Sequence, residues 1–165
     1  MTNKYTNLTQ EYLHEIFEYK DGDLYRKKTK IKNKLGTKAT CINKKGYAVV
    51  SFNSEKFLMH RIIFFMEYGF LPKEVDHIDC NKLNNKIENL RAATTSQNQC
   101  NSPIPKSNTS GIKGVSWAKK PKKWLVQIKV NQKCIFLGHF TDINLAEIAI
   151  ANARIKYHGE FARHK

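Results

Sequence analysis

Val75-Asp76-His77-Ile78-Asp79-Cys80-Asn81-Lys82-Leu83-Asn84-Asn85-Lys86-Ile87-Glu88-Asn89-Leu90-Arg91 is the stretch in which this chain concentrates its chemistry. An Asp-His pair opens it, amides follow at Asn81, Asn84, Asn85 and Asn89, and Asn98 lies a little further on. Taken singly, an Asp-His pair reads as a polar turn and an Asn-rich run as a loop. Thr94 or Thr95 offers an N-cap for a short helix carrying Asn98.

The sequence upstream reads as a framework for this stretch. Thr9 caps a helix running to Glu18 with Leu13, Ile16 and Phe17 on one face. Asp21-Gly22-Asp23 is a turn, and Leu24-Tyr25-Arg26 a short strand after it. Lys27 to Lys38 is a lysine-rich loop. Gly46 to Phe52 is β-branched and aromatic, and Asn53-Ser54-Glu55-Lys56 turns it into Phe57-Leu58-Met59, a hairpin. His60 to Tyr68 reads as a helix closed by Gly69, with Pro72 preventing its continuation. His60 is expected to pack or to lie beside a phosphate rather than act as a second base. His14, His139, His158 and His164 have no constellation around them.

Charge sharpens the contrast. The 165 residues hold 29 Lys+Arg against 14 Asp+Glu, a formal charge of +15. Residues 1–58 carry 12 basic and 6 acidic side chains, residues 59–101 carry 5 of each, and residues 102–165 carry 12 and 3. Two basic flanks therefore enclose a neutral centre. Such flanks hold phosphates and release counterions, whereas a neutral centre with carboxylates accepts a divalent cation. The longest apolar run, Ile62 to Met66, is too short to span a membrane, and Met1 to Tyr5 has no apolar signal region. A cytoplasmic protein with a polyanionic partner is the expectation. Cys41, Cys80, Cys100 and Cys134 are widely spaced, which argues against a zinc site or a disulfide framework.

Phosphodiester hydrolysis needs a base titrating near neutrality, which His supplies. It also needs a hard cation near the leaving oxygen. Mg²⁺ keeps several waters, so one carboxylate and one amide oxygen suffice to hold it. Asp76 and Asn98 are candidates for those ligands, and His77 for the base.

Asp76-His77, then Asn89-Leu90, then Asn98 resembles the HNH nuclease motif, in the phage and intron-homing branch where the last His is replaced by Asn. The hairpin Gly46 to Phe57, the His60-Arg61 helix and Leu71-Pro72 fit the same branch. The resemblance implies a ββα-metal fold over residues 1–101 with its N-terminal helix and hairpin. It implies Asp76 and Asn98 as ligands for Mg²⁺ or Mn²⁺. His77 becomes the general base, with Asn89 tying the loop to the His77 strand and Arg91 steadying a phosphate. Many relatives carry Gly where Cys80 stands, a position suited to positive φ; either Cys80 or Asn81 is left to adopt that conformation.

Residues 102–110, rich in Pro, Ser and Asn, read as a linker. Three strands follow, at Ile112–Trp117, Trp124–Val130 and Lys133–Gly138, and then an Ala-rich helix from Asp142 to His158 ended by Gly159. In the middle strand Trp124, Val126, Ile128 and Val130 share the face the helix covers. Trp117 and Trp124 are both expected in the core. Residues 111–165 resemble the APETALA2 DNA-binding domain through Gly114-Val115, Trp124, Ile128, Leu137-Gly138, the Ala-rich helix and His158-Gly159-Glu160-Phe161-Ala162-Arg163. The resemblance places Lys113, Gln127, Lys129 and Phe136 toward DNA, and Lys119, Lys120 and Lys133 are added as phosphate contacts. Ser116, Ala118 and Cys134 depart from arginines of the plant relatives, so their base readout is not carried over.

The fold class expected is α+β: a ββα-metal nuclease domain, then a three-stranded antiparallel sheet packed on one helix. The activity expected is a metal-dependent homing-type endonuclease acting on double-stranded DNA, as monomer or homodimer, in a host bacterial cytoplasm. The main alternative is a non-catalytic DNA-binding regulator on a degenerate HNH scaffold. An RNA-binding module ranks last, because no aromatic RNA motif is present.

Overall fold

A computed structural model describes residues 5–28 and 34–163. Met1 to Lys4, residues 29–33 of the lysine-rich loop, and His164 and Lys165 lie outside the described residues. Two compact units divide between Ala92 and Ala93, earlier than the boundary at residue 101 read from the sequence.

The first unit opens with α1 (Gln10–Ile16), where Thr9 Oγ1 accepts from the Tyr12 N–H at 3.2 Å. The helix is shorter than its apolar pattern implies. Phe17 leaves it in extended conformation and starts β1 (Phe17–Lys20), which pairs antiparallel with β2 (Asp23–Arg26) across the Asp21-Gly22 turn. The sequence reading placed Phe17 and Glu18 in the helix. The short turn signal after them instead draws Phe17-Glu18-Tyr19-Lys20 into a hairpin.

β3 (Cys41–Ile42), β4 (Ala48–Phe52) and β5 (Glu55–Leu58) form an antiparallel sheet with β4 central. It leads directly into α2 (Met59–Tyr68), closed by Gly69, whose N–H donates to Phe65 O. Met59, Ile62, Ile63 and Met66 pack against Leu13, Phe17, Leu24, Val50 and Phe57 in one apolar cluster. Each such side chain, fully buried, contributes about 1.5–3 kcal/mol. This core fixes α2, and α2 in turn backs β6 (Glu74–His77), which pairs with β7 (Leu90–Ala93).

The second unit begins with α3 (Thr95–Cys100). Thr94 and Gln97 form a reciprocal capping box at its start. At its end the Lys113 ammonium donates to Cys100 O at 2.8 Å and Ser102 O at 2.6 Å, and Arg163 donates to Asn101 O at 3.3 Å. These bonds come from residues beyond the linker, which is why α3 belongs to this unit.

β8 (Val115–Ala118), β9 (Lys123–Val130) and β10 (Lys133–Phe140) form an antiparallel sheet with β9 central. α4 (Ile143–His158), capped by Asp142, buries Ala146, Ile150 and Ala153 against Val115, Val126 and Ile128. Gly114, at φ +85°, stands where a Cβ would meet Gln127 O at 2.7 Å, so only glycine lets β8 close onto β9. Trp124 packs on this core. Trp117, expected with it, is 47% exposed and meets Trp124 edge-on at 5.0 Å. Among the described residues, no helix is long and apolar enough to cross a membrane.

Candidate active site

β6 buries both members of the Asp-His pair. Asp76 and His77 are each 5% exposed. Adjacent strand residues point to opposite faces, and their contacts differ accordingly. Asp76 Oδ2 accepts from Arg91 Nε and from a second guanidinium nitrogen, both at 2.9 Å. Arg91, expected on a phosphate, is here committed to the carboxylate beside the base. A carboxylate is a hard oxygen donor, the ligand type that Mg²⁺ takes. One carboxylate oxygen with amide oxygens suits a hard ion that retains most of its water.

His77 is enclosed by three side chains. Its Nε2 lies 3.1 Å from Asn85 Oδ1. The His60 ring meets it edge-on, with centroids 4.8 Å apart, and the Tyr47 ring lies at 6.2 Å. Burial pushes the His77 imidazole below its ordinary pKa; Asn85, Asp79 and Asp76 oppose that shift without cancelling it. The ring is therefore uncharged at neutral pH, the state a base needs. His60, 4% exposed, is pushed down to about 3 by burial, with His77 and Arg61 adding to the effect. It is a neutral wall of the site, and packing is the role its burial allows. Its buried Nδ1 has no hydrogen-bond partner.

The loop from Ile78 to Glu88 hangs on Asn89. The Asn89 amide donates to Asp79 Oδ1 at 2.9 Å and Asn84 O at 2.8 Å, and its Oδ1 accepts the Asp79 N–H at 3.0 Å. Its backbone carbonyl accepts from Ile78 N–H at 2.9 Å. One side chain thus closes both ends of the loop and fixes the exit of the His77 strand. Burial raises the Asp79 carboxyl, but hydrogen bonds from Asn84, Asn81 and Asn89 outweigh it and hold the group below its usual value. Cys80 turns the loop at φ 63°, in the left-handed region. It is Cys80 rather than Asn81 that takes the conformation suited to glycine.

Asn98 stands half-buried on α3, in the second unit. In that unit the sheet face away from α4 carries Ser116, Leu125, Gln127, Lys129, Cys134 and Phe136, as the register pairs Gln127 with Phe136 and Lys129 with Cys134. Gln127 and Lys129 are exposed, and Phe136 is 59% exposed. Lys119 and Lys120 are exposed between β8 and β9. Two expectations change. Lys133 is exposed but lies opposite Val130, in register with the helix-covered face. The Lys113 ammonium donates to the carbonyls that end α3.

Asn85 and the role of Asp79 are absent from the sequence expectations, whereas packing was one of the two roles expected of His60. Nothing in an Asn-Asn doublet says which amide turns inward; His60 at the start of an apolar helix was the one legible signal.

An HNH endonuclease family model matches residues 57–100, from β5 through α3. Protein 3.8 of Escherichia phage T7 is 40% identical over 99 residues, covering 58% of this chain and 79% of that protein. An uncharacterized HNH endonuclease of Acanthamoeba polyphaga mimivirus is 46% identical over 77 residues, covering 45% of this chain and 38% of that protein. No solved structure matches. With a relative at this identity matched over most of its length, and Asp76, His77 and Asn89 inside the matched span, the chain belongs to the family of phage T7 protein 3.8 and carries an HNH endonuclease domain over residues 57–100.

Proposed function

We propose that the chain is a metal-dependent, homing-type DNA endonuclease whose general base is His77. The observation that carries this reading is a buried imidazole beside a buried carboxylate on one strand of the HNH match. His77 takes a proton from water as the water oxygen bonds to phosphorus. The bond from phosphorus to the 3′ oxygen breaks, and that oxygen gains a proton from solvent. The products are a 5′-phosphate and a 3′-hydroxyl. By the resemblance, Asp76 and Asn98 would be the residues that hold Mg²⁺ or Mn²⁺, and the ion would supply charge neutralisation at the leaving oxygen. Asn89 fixes the strand that carries His77.

The second unit is proposed to hold duplex DNA in the manner of an APETALA2-like domain. Gln127, Lys129 and Phe136 lie on its open face, with Lys119 and Lys120 on the phosphates. The fully occupied Lys113 ammonium takes a structural role instead. One centre cuts one strand, so a monomer nicks and a pair acting together cuts both. A phage-encoded enzyme would act in the host bacterial cytoplasm.

His77→Ala is expected to abolish plasmid nicking in Mg²⁺ or Mn²⁺, a loss of roughly 10²–10⁴-fold, while duplex binding persists. A second reading draws on the Arg91 contacts to Asp76: a DNA-binding regulator in which that carboxylate is structural. EDTA decides. Nicking by the purified protein that EDTA stops supports the nuclease, and no nicking of any plasmid with either metal supports the regulator.

A further inference from the structure

Asn85 is 1% exposed, the least exposed polar side chain among those buried in the described residues. A buried amide has to satisfy both its ends. Its Nδ2 lies 3.3 Å from Leu83 O and its Oδ1 3.1 Å from His77 Nε2. A backbone carbonyl only accepts, so the amide atom facing Leu83 is the N–H₂ and the atom facing His77 is the oxygen. An amide oxygen also only accepts. Nε2 of His77 therefore carries the hydrogen, and the lone pair of the neutral ring resides on Nδ1.

The segment that holds this amide is clamped by the β1–β2 hairpin, which lies outside the HNH match. Tyr19 Oη accepts from the Ile87 N–H at 3.0 Å. Lys86 Nζ pairs with Asp21 at 2.7 Å. Gly22, at φ +87°, approaches so closely that a Cβ there would meet Lys86 N at 3.0 Å and the Asn85 carbonyl carbon at 3.2 Å. Three successive residues of the loop are thus seated on one hairpin, and the first of them is Asn85.

We infer that Asn85 is a positioning residue that locks His77 in the Nε2–H tautomer, so that Nδ1 is the atom that takes the proton, and that the β1–β2 hairpin holds Asn85 in place. The catalytic part of this inference rests on the nuclease reading; the tautomer does not.

The test uses the full chain with ¹⁵N-labelled histidine. Long-range proton–nitrogen spectra report which ring nitrogen of His77 bears the hydrogen, with the His77→Ala variant assigning the signal. The wild-type protein is expected to show Nε2–H. Asn85→Leu, which keeps the γ-branched shape and removes the acceptor, is expected to give a mixture of tautomers. It is also expected to slow nicking at saturating DNA by about 10–100-fold with duplex affinity unchanged. Asn85→Asp, which keeps an acceptor toward Nε2, restores the tautomer and most of the rate. Nδ1–H in the wild-type spectrum overturns the inference without any variant having to fold. So does an Asn85→Leu protein whose tautomer and rate match wild type. If the wild type never nicks but Asn85→Leu still loses Nε2–H, the nuclease reading falls and the tautomer lock stands.

Discussion

The pocket around His77 and the open face of the β8–β9–β10 sheet are built on opposite principles. In the pocket, Asp76, His77, Asn85 and Asn89 are all buried, and each side chain has a partner at hydrogen-bond distance. On the sheet, Gln127, Lys129 and Phe136 stand exposed above a core that lies wholly on the other side. Proton transfer requires atoms fixed to a fraction of an ångström, which a satisfied buried network provides. Contact with a polyanion requires reach and charge, which exposed side chains on a rigid strand provide. The charge distribution follows the same division, with the carboxylates of residues 59–101 balancing their cations and residues 102–165 strongly basic.

The largest effect that separates the two regions is expected from Asn89→Ala. The substitution removes the bonds to Asp79 Oδ1, Asn84 O and the Asp79 N–H together. It leaves groups that the fold had paired, at about 1–3 kcal/mol for each one kept from water. A loss of about 3 kcal/mol is expected in denaturant unfolding. Nicking should fall much further than duplex affinity, because the exit of the His77 strand loosens while the open sheet face is untouched. Equal loss of nicking and binding would show that the two regions do not work separately.

Lys129→Ala tests the other side of the comparison with a smaller effect. If the open sheet face holds phosphates, log affinity against log salt should lose about one unit of slope, uniformly across DNA sequences. The nicking rate at saturating DNA should not change. An unchanged slope would move DNA from this face. Lys113 is not the right residue for that experiment: its ammonium ends α3, and its loss would change the helix that carries Asn98.

These residues also show why parts of the molecule were legible in the sequence. The sheet of the second unit was, because Val126 and Ile128 alternate with Gln127 and Lys129 and alternation has a single physical solution. Helix α2 was, because its apolar stripe ends at Gly69. Asp76 and His77 were singled out by residue type, and Asn89 by the resemblance. What stayed hidden depends on contacts distant in sequence. The capture of α3 by Lys113 and Arg163 moves the unit boundary to Ala92, and no local pattern announces a lysine that will cap a helix thirteen residues before it. The β1–β2 hairpin was half read, because Phe17 suits a helix face and a strand equally well. Asn85 was passed over because Asn84 beside it has the same chemistry, and only Leu83 O and the Gly22 turn decide which amide faces the base.

The smallest effect probes the strain in the loop between the two strands of the pocket. Cys80 sits at φ 63°, where a side chain costs roughly 1–2 kcal/mol relative to glycine. Cys80→Gly removes that cost and gives back part of it, about 0.4–1 kcal/mol, through the greater freedom of glycine in the unfolded chain. A net gain of about 0.5–1 kcal/mol in unfolding free energy is expected, visible as a raised melting temperature. The loop's hydrogen bonds to Asn89 come from Ile78, Asp79 and Asn84, on either side of position 80. They survive the change, so nicking should be unaltered while stability rises. A less stable Cys80→Gly protein would mean that the thiol contributes more to the loop than its backbone conformation costs. A stabilised but inactive one would mean that the strained turn itself helps to aim His77.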